Sequence, residues 1–541
     1  MLPNYVQDIK KEFKGYNASK LTKDILAGLT VTAVALPLAI AFGVSSGADA
    51  ASGLVTAIIA GLIISALSGA FYQISGPTGA MAAVLLSIIA QYKLQGVFIA
   101  TFIAGVLLCI AGILHLGRLT SLIPAPVITG FTSGIAIIIA LGQIDNFFGV
   151  KSQGDSALSK LLSYSRLGFS PSFTAVCIGL FVILFMVVYP KKWNSMIPGS
   201  LVSIILATAG SIIFKLDVPI VGEIPKTIFL DNRLAISSIS LGTVKGLIIP
   251  AISIAMLCMI ESLLCGASAG RMTNVRINSD QELIAQGVGN MLIPFFGGIP
   301  ATAAIARTSV AIKSGAQTRL TGIFHALGLL LAMFALSPIM SKIPLSALAG
   351  VLMVTAWRMN EWSSIKYIFS HKFKGAMLKF LITMAATVVL DLTIAIAIGI
   401  LLGLLLYIVR SATIDVSIED VDPSRVGFNH TKSASNWCVV YITGPMFFMT
   451  SEILKQKLDE VKDNELVIFS LRGVPLADIT TVGILIDFYR QSASMGKRVI
   501  FSSIQPSVMS LFNQSGLVEI AGEEAFYHSV DKALLKLLYS E

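Results

Sequence analysis

Apolar stretches long enough to cross a lipid bilayer recur along this chain between residues 22 and 410. A transmembrane helix needs about 20 predominantly apolar residues. Only 13% of the 541 residues are charged, whereas soluble globular chains carry roughly a quarter. A chain with so little polar surface is predicted to be a polytopic membrane protein that lies in the lipid bilayer.

The predicted spans fall into two halves of seven, about fourteen in all. Together they predict an all-α transmembrane domain over 22–410, with repeats at about 22–214 and 245–410. The stretch 361–374 is shorter and mixes aromatic with basic side chains, which predicts an amphipathic helix at the membrane interface. The first half is predicted at 22–45, 50–68, 78–92, 97–116, 126–147, 172–189 and 199–214, and the second at 245–266, 281–296, 302–314, 318–337, 344–357, 375–390 and 392–410.

The distribution of basic residues predicts the orientation of the chain in the membrane. The net charge is +9, and most Lys and Arg lie on one side of the spans if both termini are cytoplasmic. This positive-inside bias predicts a multi-pass protein of the cell (inner) membrane with a cytoplasmic segment at 1–21, and no nucleic-acid partner. Lys151, Lys160 and Arg166 are exceptions on the opposite side. The residues that carry the bias are Lys10, Lys11, Lys14, Lys20, Lys23, Arg118, Lys191, Lys192, Arg271, Arg276, Lys313, Arg319, Arg358, Lys366, Lys372 and Lys374.

The composition becomes polar after Arg410. Residues 411–435 are predicted to be a linker, and 436–541 a small cytoplasmic α/β domain, because runs rich in β-branched and aromatic residues alternate there with helical patterns. The predicted strands are Trp437–Thr443, 466–471 and 498–503, and the predicted helices are Ser451–Val461, 480–494, 506–513 and 529–539.

Two spans, one in each half, are short and begin with glycine and proline. The third is preceded by QISGPTGA (73–80) and the tenth by GGIPATAA (297–304). Paired, interrupted segments at corresponding places in two halves point to a binding site near the middle of the membrane. Alternatively, they reflect only the general abundance of Gly and Pro in membrane helices. We interpret them as two half-helices that form a site.

Several stretches resemble one known family. They are DILAGLTV (24–31), SGPTGA (75–80), ESLL (261–264) and GIPATAAIART (298–308). In this order they resemble the SulP family of anion transporters, to which prestin and pendrin also belong, and the tail is similar to a STAS domain (sulfate transporter and anti-sigma antagonist). The resemblance is closest to the bacterial branch linked with C4-dicarboxylates, sulfate and bicarbonate. It implies a seven-plus-seven inverted repeat, a core domain that moves against a gate domain, and homodimers.

The starts of the two half-helices form the predicted anion site. Unpaired backbone N–H groups and the helix dipole favour an anion at a helix N-terminus. The small residues let a substrate approach the backbone closely, and the hydroxyl groups can add hydrogen bonds. Small residues also serve tight helix packing, and both roles are compatible. The predicted substrate-binding residues are Ser75, Thr78, Gly79, Ala80, Thr302, Ala303, Ala304 and Arg307.

Arg307 lies inside the tenth span, where a charged side chain is costly and usually functional. It matches the arginine that the resemblance places in the anion site, and a guanidinium group favours a carboxylate or sulfate over a neutral solute. The alternative is an arginine whose side chain extends to the cytoplasmic edge of the membrane.

Glu261 is the second intramembrane charge, and Cys265 follows it one turn later on the same helix face. In sodium-coupled relatives the resemblance places an aspartate and a threonine at these positions, where they hold the cation. A thiol is a poor sodium ligand because hard cations prefer oxygen. We therefore expect Glu261 to carry a coupling proton, with sodium disfavoured, although a direct pairing of Glu261 with Arg307 is an alternative.

Thr480, in Asp478-Ile479-Thr480-Thr481, matches the phosphorylated position of anti-sigma antagonists. It is a candidate regulatory site or a plain helix N-cap. Metal-ligand spacing is absent among the cysteines and histidines, so no metal and no cofactor are predicted.

The sequence thus predicts a secondary active transporter of small inorganic or organic anions, C4-dicarboxylate or sulfate, coupled to protons and working by alternating access. The alternatives are a sodium-coupled bicarbonate transporter, an uncoupled anion exchanger or channel, and a STAS domain held on a membrane anchor. An anchor needs no buried charges, so Glu261 and Arg307 argue against the last. No enzyme motif or ATP-binding loop occurs, and no enzymatic activity is predicted.

Overall fold

The computed structural model describes residues 2–117, 123–154, 157–190, 193, 197–235, 237, 241–390, 392–421, 426 and 436–539. Three basic residues of the predicted charge bias, Arg118, Lys191 and Lys192, lie outside the described residues, as does most of the linker after residue 421. The chain divides into two compact units, Met1–Gly403 and Leu404–Glu541.

The first unit is built of helices and one pair of very short strands, β1 (Ser75–Gly76) and β2 (Thr302–Ala303). Its helices in chain order are α1 (Leu2–Glu12), α2 (Ala18–Ser45), α3 (Ala50–Leu67), α4 (Gly79–Ile113), α5 (Ala125–Gly142), α6 (Ile144–Phe148), α7 (Ala157–Leu167), α8 (Phe173–Val188), α9 (Gly199–Ile213), α10 (Leu241–Thr273), α11 (Ser279–Leu292), α12 (Ile305–Lys313), α13 (Leu320–Met340), α14 (Leu345–Met359), α15 (Trp362–Ser370), α16 (Lys374–Val389) and α17 (Leu392–Ser411), the last of which continues into the second unit.

Each predicted span has a helix in the structure once α4 is divided at Lys93. This residue has φ of 58° and separates two helical stretches, which correspond to the predicted third and fourth spans. Within the described residues, six helices are long and apolar enough to cross a membrane, and four shorter apolar helices accompany them. The interfacial helix expected at 361–374 is α15.

Side-chain caps set where several of these helices begin. Asn17 accepts a hydrogen bond from Lys20 N, Asp49 accepts one from Ser52 N, and Asn278 accepts one from Gln281 N. Each cap satisfies one of the N–H groups that the first turn of a helix leaves without a partner. The polar residues before the apolar runs therefore determine the helix starts.

The spans pack as two bundles, each of which takes helices from both halves of the chain. In the first bundle, α2, α3 and α4 pack against α10, α11, α12 and α13, and in the second, α5, α8 and α9 pack with α14 and α16. Glycines allow close approach between the halves. A Cβ on Gly28 of α2 would lie 2.7 Å from Phe324 Cβ of α13, and one on Gly130 of α5 would lie 2.5 Å from the Phe380 carbonyl oxygen of α16. Each bundle thus contains helices of both halves, as expected for two intertwined repeats of opposite orientation.

Within the described residues, the strand pair departs from the predicted all-α membrane domain. β1 and β2 run antiparallel, with Ser75 opposite Ala303 and Gly76 opposite Thr302. The tenth span was predicted to be helical from residue 302, but Thr302 and Ala303 are extended. Both residues pair with β1 in the strand ladder, so the helix begins only at Ile305.

The second unit is an α/β domain around a five-stranded sheet in the order β3-β4-β5-β6-β7. β3 pairs antiparallel with β4, and the remaining neighbours are parallel. The strands are β3 (Asp415–Asp420), β4 (Trp437–Thr443), β5 (Leu466–Gly473), β6 (Arg498–Ser502) and β7 (Phe526–Tyr527), and the helices are α18 (Ser451–Val461), α19 (Ile479–Ser494), α20 (Pro506–Gln514), α21 (Leu517–Ala521) and α22 (Val530–Tyr539).

Alternate residues of the central strands enter two separate cores, one on each face of this sheet. Val440 of β4 and Phe469 of β5 belong to the core that α18, α19 and α20 cover. Val439 and Ile468 belong to the core that α22 covers. A sheet covered on both faces is typical of parallel strands, which explains why the sequence shows these strands as nearly continuous apolar runs.

Residues 415–420, predicted to be part of the linker, form the edge strand β3. Only Val416 of this strand is buried, while Asp415, Glu419 and Asp420 are exposed. Charged side chains are common on edge strands, where they discourage pairing with other chains. The same charges give the strand the composition of a linker, which is why the sequence pattern concealed it.

Candidate functional site

The antiparallel pair of β1 and β2 positions the starts of two short helices. β1 leads through Pro77 and Thr78 into residues 79–92 of α4, the first half-helix, and β2 leads through Ala304 into α12, the second half-helix. Because the strands run in opposite directions, the half-helices leave from opposite ends of a ladder two residues long, roughly 7 Å. Their N-termini therefore face each other across the ladder.

Backbone N–H groups are unpaired at both of these helix starts. Thr78 caps the first half-helix by accepting a hydrogen bond from Met81 N at 3.4 Å. Among the hydrogen bonds of the described residues, none uses the N–H of Gly79 or Ala80, or that of Ile305 or Ala306. Such groups, with the positive end of the helix dipole, attract anions.

The second set of donors differs from the predicted one. The N–H of Ala303 donates to Ser262 Oγ at 3.3 Å, and that of Ala304 donates to the Ile74 carbonyl oxygen at 3.0 Å. The Thr302 hydroxyl lies 3.0 Å from Ser262 Oγ. The N–H groups of Ala303 and Ala304 are therefore not available to an anion. The second half-helix begins at Ile305, after the strand that pairs with β1.

Arg307 lies in the first turn of the second half-helix and its side chain is buried, with 1% of the residue exposed. Its Nη2 donates to the Pro77 carbonyl oxygen at 3.0 Å, directly before the first half-helix. Its Nη1 is buried without a partner among the described residues, and a Cβ on Gly76 would lie 2.6 Å from it. The guanidinium thus lies between the two half-helix starts, and its burial favours the site interpretation over a side chain that extends to the cytoplasmic edge of the membrane.

Glu261 of α10 contacts the cap of the first half-helix. The Thr78 hydroxyl donates to Glu261 Oε2 at 3.0 Å. In the part of the chain that the structure describes, no ion pair within 4.0 Å joins Glu261 to Arg307. The described part of the structure therefore does not contain the direct pair that was the alternative. The carboxyl group of Glu261 instead faces the positive N-terminal end of the first half-helix.

Cys265 is buried on the same helix, one turn after Glu261. Its Sγ donates to Thr308 Oγ1 at 3.2 Å, and this oxygen also accepts a hydrogen bond from Ile74 N at 3.0 Å. The thiol therefore connects α10 to the second half-helix and to the segment before β1.

Polar residues that were not among the predicted site residues hold the segment before β2. Asn290 of α11 makes two hydrogen bonds of 2.8 Å with the backbone of Ala301. Thr56 of α3 accepts a hydrogen bond from Ile299 N at 2.7 Å and lies 3.0 Å from its carbonyl oxygen. A sequence signal for α11 existed, because Glu282, Gln286 and Asn290 recur every four residues and share one helix face.

Thr480 of the second unit is exposed in the first turn of α19. It is not the N-cap, which was its alternative role, because Asp478 caps this helix by accepting a hydrogen bond from Thr481 N at 2.9 Å. The Thr481 hydroxyl is buried and donates to the Met446 carbonyl oxygen. Thr480 stays a predicted regulatory position.

Comparison with known families assigns both parts of the chain. The model of the sulfate permease family matches residues 21–406, and that of the STAS domain matches residues 429–533. These matches confirm the resemblance drawn from the sequence motifs.

Relatives of known name are similar over almost the whole chain. The chain is 33% identical over 535 residues to "Putative sulfate transporter YvdB" of Bacillus subtilis (strain 168), covering 96% of this chain and 98% of that protein. It is 30% identical over 478 residues to "Bicarbonate transporter BicA" of Picosynechococcus sp., covering 84% of each. Both names describe transporters and neither describes an enzyme.

A solved structure supports the fold. Murine Solute Carrier 26 family member A9, an anion transporter in the inward-facing state, superposes with a TM-score of 0.83 at 18% identity. The match covers 97% of this chain and 92% of that one. It confirms the predicted fold class, a membrane domain of two seven-span repeats followed by a STAS domain.

Proposed function

Because this chain belongs to the sulfate permease family, we propose that it is a proton-coupled secondary active transporter that moves a small divalent anion, sulfate or a C4-dicarboxylate, across the cell membrane. The observation that carries the proposal is the meeting of two half-helix starts at the β1–β2 pair, with Arg307 between them. In the proposed arrangement both termini are cytoplasmic, and the anion binds between the half-helices.

The electrostatics of this arrangement support an anion of more than one charge. Each helix start carries roughly half a positive charge, and the Arg307 guanidinium adds a full one. The four unpaired N–H groups at Gly79, Ala80, Ile305 and Ala306 come from two directions, which suits a tetrahedral or dicarboxylate anion with oxygens on opposite sides. Glu261, when ionised, opposes part of this positive potential.

The contact between Thr78 and Glu261 supports coupling to protons. A negative charge on Glu261 beside the first half-helix start disfavours a second anion there, and protonation removes that charge. Binding of a proton and binding of an anion therefore favour each other, and such coupling is reciprocal. A carrier with this property takes up its anion together with a proton.

The two helix bundles support alternating access. The half-helices belong to the first bundle, and Ile139 of the second bundle contacts the first half-helix at its start, where a Cβ on Gly79 would lie 2.2 Å from Ile139 Cδ1. Movement of one bundle against the other would uncover the site on alternate sides. Homodimers, which the resemblance implies, are part of the same proposal.

Sodium-coupled bicarbonate transport is the second candidate. The similarity to "Bicarbonate transporter BicA" favours it. The thiol of Cys265 argues against sodium, because the hydrogen bond with Thr308 brings a sulfur to the place where a hard cation needs an oxygen. An uncoupled exchanger or channel is distinguished by the absence of accumulation.

Uptake into proteoliposomes tests the proposal. The wild type is expected to accumulate labelled sulfate or succinate when an inward proton gradient is imposed without sodium. Glu261→Gln keeps the size of the side chain and removes its charge, so this variant should bind the anion and exchange it but lose proton-driven accumulation. Glu223→Gln, at an exposed glutamate outside the spans, is the control and should accumulate normally.

Three outcomes would contradict parts of the proposal. Accumulation at the wild-type level by Glu261→Gln would remove that residue from the coupling step. Wild-type accumulation that requires sodium and ignores pH would favour the second candidate. Competition by many unlabelled anions identifies the substrate, and competition by bicarbonate alone would exclude a divalent substrate.

A further inference from the structure

Glu282 is a buried carboxyl group without a cation. It lies on α11 within the first bundle and has no exposed surface. Its Oε2 accepts hydrogen bonds from Ser68 Oγ at 2.5 Å and Gly69 N at 3.1 Å, and its Oε1 accepts one from Gln286 Nε2 at 2.9 Å. Over the described residues, no Lys, Arg or His lies within 4.0 Å of it. An acidic residue buried at such cost usually has a function.

Gln286 connects Glu282 to the anion site. Its Nε2 donates to Ser75 Oγ of β1 at 2.8 Å as well as to Glu282. A side-chain amide carries two N–H donors on this nitrogen, so both are used. When Glu282 is ionised, the amide cannot be turned over, because its oxygen would then lie 2.9 Å from a carboxylate oxygen that only accepts hydrogen bonds. Glu282 therefore determines which end of the Gln286 amide faces Ser75.

This orientation determines the polarity of the Ser75 hydroxyl. A serine hydroxyl has one proton to donate and two lone pairs that accept. Because Ser75 Oγ accepts from Gln286, its proton points elsewhere, and within the described part of the chain no hydrogen bond uses Ser75 Oγ as the donor. With the amide reversed, Ser75 would donate its proton to Gln286 and present lone pairs, which repel an anion.

We propose that Glu282 is a positioning residue that, through Gln286, holds the Ser75 hydroxyl as a hydrogen-bond donor to the transported anion. The proposal rests on the proposed function, since it needs an anion at the half-helix starts. It also separates two effects of the Glu282 charge. The negative charge of Glu282 weakens anion binding by repulsion. The orientation that Glu282 gives to Gln286 strengthens anion binding.

A double-mutant cycle on the purified full-length chain tests the proposal, with sulfate and, separately, succinate as probes in titration calorimetry. Ser75→Ala should weaken binding about tenfold, the size of one hydrogen bond to a charged group. Glu282→Gln should weaken binding by a similar factor when Ser75 is present. In the Ser75→Ala background, Glu282→Gln should leave the affinity unchanged or raise it, because only the loss of its negative charge remains.

Two further variants keep the test decisive. Asp280→Asn makes the same acid-to-amide change two residues earlier on α11, where the side chain contacts His115 and Gly117, and should leave the affinity unchanged. If Glu282→Gln does not fold, as its melting temperature will show, Gln286→Leu removes the same connection and should give the same non-additive result with Ser75→Ala.

The outcomes distinguish this inference from the proposed function. Equal losses for Glu282→Gln with and without Ser75, no loss in either background, or an equal loss in Asp280→Asn, would overturn the positioning role. If the wild type binds sulfate or succinate and Ser75→Ala does not matter, the inference fails while the proposed function stands. Absence of saturable binding by the wild type would count against the proposed function itself.

Discussion

Arg307 contacts parts of the chain that come from both repeats. Its backbone belongs to the second half-helix, and its Nη2 donates to the carbonyl oxygen of Pro77, which precedes the first. The resulting position of the guanidinium, between two positive helix ends, is unfavourable unless an anion is present. This local repulsion supports the proposal that Arg307 binds the transported anion.

Arg307→Ala is expected to weaken sulfate binding by about 1–3 kcal/mol, the cost of losing a charge-assisted hydrogen bond. Chloride should be affected less, because a monovalent anion is attracted less strongly than a divalent one by the charge of the guanidinium. Lys313→Ala, an exposed lysine in the last turn of the same half-helix, is the control and should bind normally. Unchanged affinity for every anion in titration calorimetry would contradict the assignment.

Asp24 shows how one buried side chain can join the start of the first span to the second repeat. It accepts hydrogen bonds from Tyr16, from the backbone of Gln317 and Thr318, and from the hydroxyls of Thr318 and Thr321. Burial, followed by the hydrogen bond and charge of Asp24, raises the pKa of Tyr16 to about 12. The phenol must therefore stay protonated for this contact to persist.

The stability that Tyr16 contributes should depend on pH in one direction. A phenol whose pKa is raised by folding contributes fully below its ordinary value of about 10, and this contribution is lost as the pH rises through the folded value. Tyr16→Phe should therefore melt at a lower temperature than the wild type at neutral pH, and the gap should close towards pH 12. Tyr407→Phe, at an exposed tyrosine, is the control. A gap that stays constant with pH would contradict the role.

At the scale of elements, the β1–β2 pair determines the geometry of the site. Four strand residues hold two half-helices whose starts are more than 200 positions apart in sequence, and Gly76 is the strand residue that the guanidinium of Arg307 packs against. The backbone of Gly76 is not in a left-handed conformation, so the absence of a side chain is needed for space and not for φ.

Gly76→Ala should displace the Arg307 guanidinium and weaken sulfate binding by a factor similar to that of Arg307→Ala. The added Cβ would lie 2.6 Å from Nη1, which is too close for two non-bonded atoms. In the Arg307→Ala background the same change should have little further effect. Gly210→Ala, on α9 where nothing lies within 4 Å, should bind normally. Full additivity of the two changes in calorimetry would exclude the contact as the cause.

At the scale of the molecule, the two units have separate hydrophobic cores. The large core of the first unit contains residues from α2 to α14, while the two cores of the second unit contain only residues after 413. All residues proposed to bind the anion or the proton lie in the first unit. The STAS domain is therefore expected to influence folding, localisation or rate, and not the binding site itself.

Truncation after Ser411, the last residue of α17, should leave a protein that binds sulfate with an affinity within about threefold of the full chain, because every proposed site residue is retained and independent parts of a protein usually contribute additively. The measurement is calorimetry on truncated protein that elutes as a single species in size-exclusion chromatography. Folded, truncated protein without anion binding would show that the site extends into the second unit.

The sequence by itself determined the spans, their division into two halves, and most of the helices and strands of the tail. These features depend on local runs of apolar residues and on their period, which are visible in a window of ten to twenty residues. It also singled out Ser75, Thr78, Glu261 and Arg307 as candidates for the site, because charged, hydroxyl and helix-breaking residues stand out in apolar spans.

Only the tertiary structure decided what these residues contact. The bonds from Arg307 to Pro77 and from Gln286 to Ser75 join residues 230 and 211 positions apart, and no local pattern encodes them. Backbone pairing between β1 and β2 shifted the second half-helix start from Thr302 to Ile305 and so replaced the predicted N–H donors. Long-range pairing overrides local preference here because a buried, extended backbone gains hydrogen-bond partners in a strand ladder, and the strand that pairs with Thr302 and Ala303 lies in the other repeat.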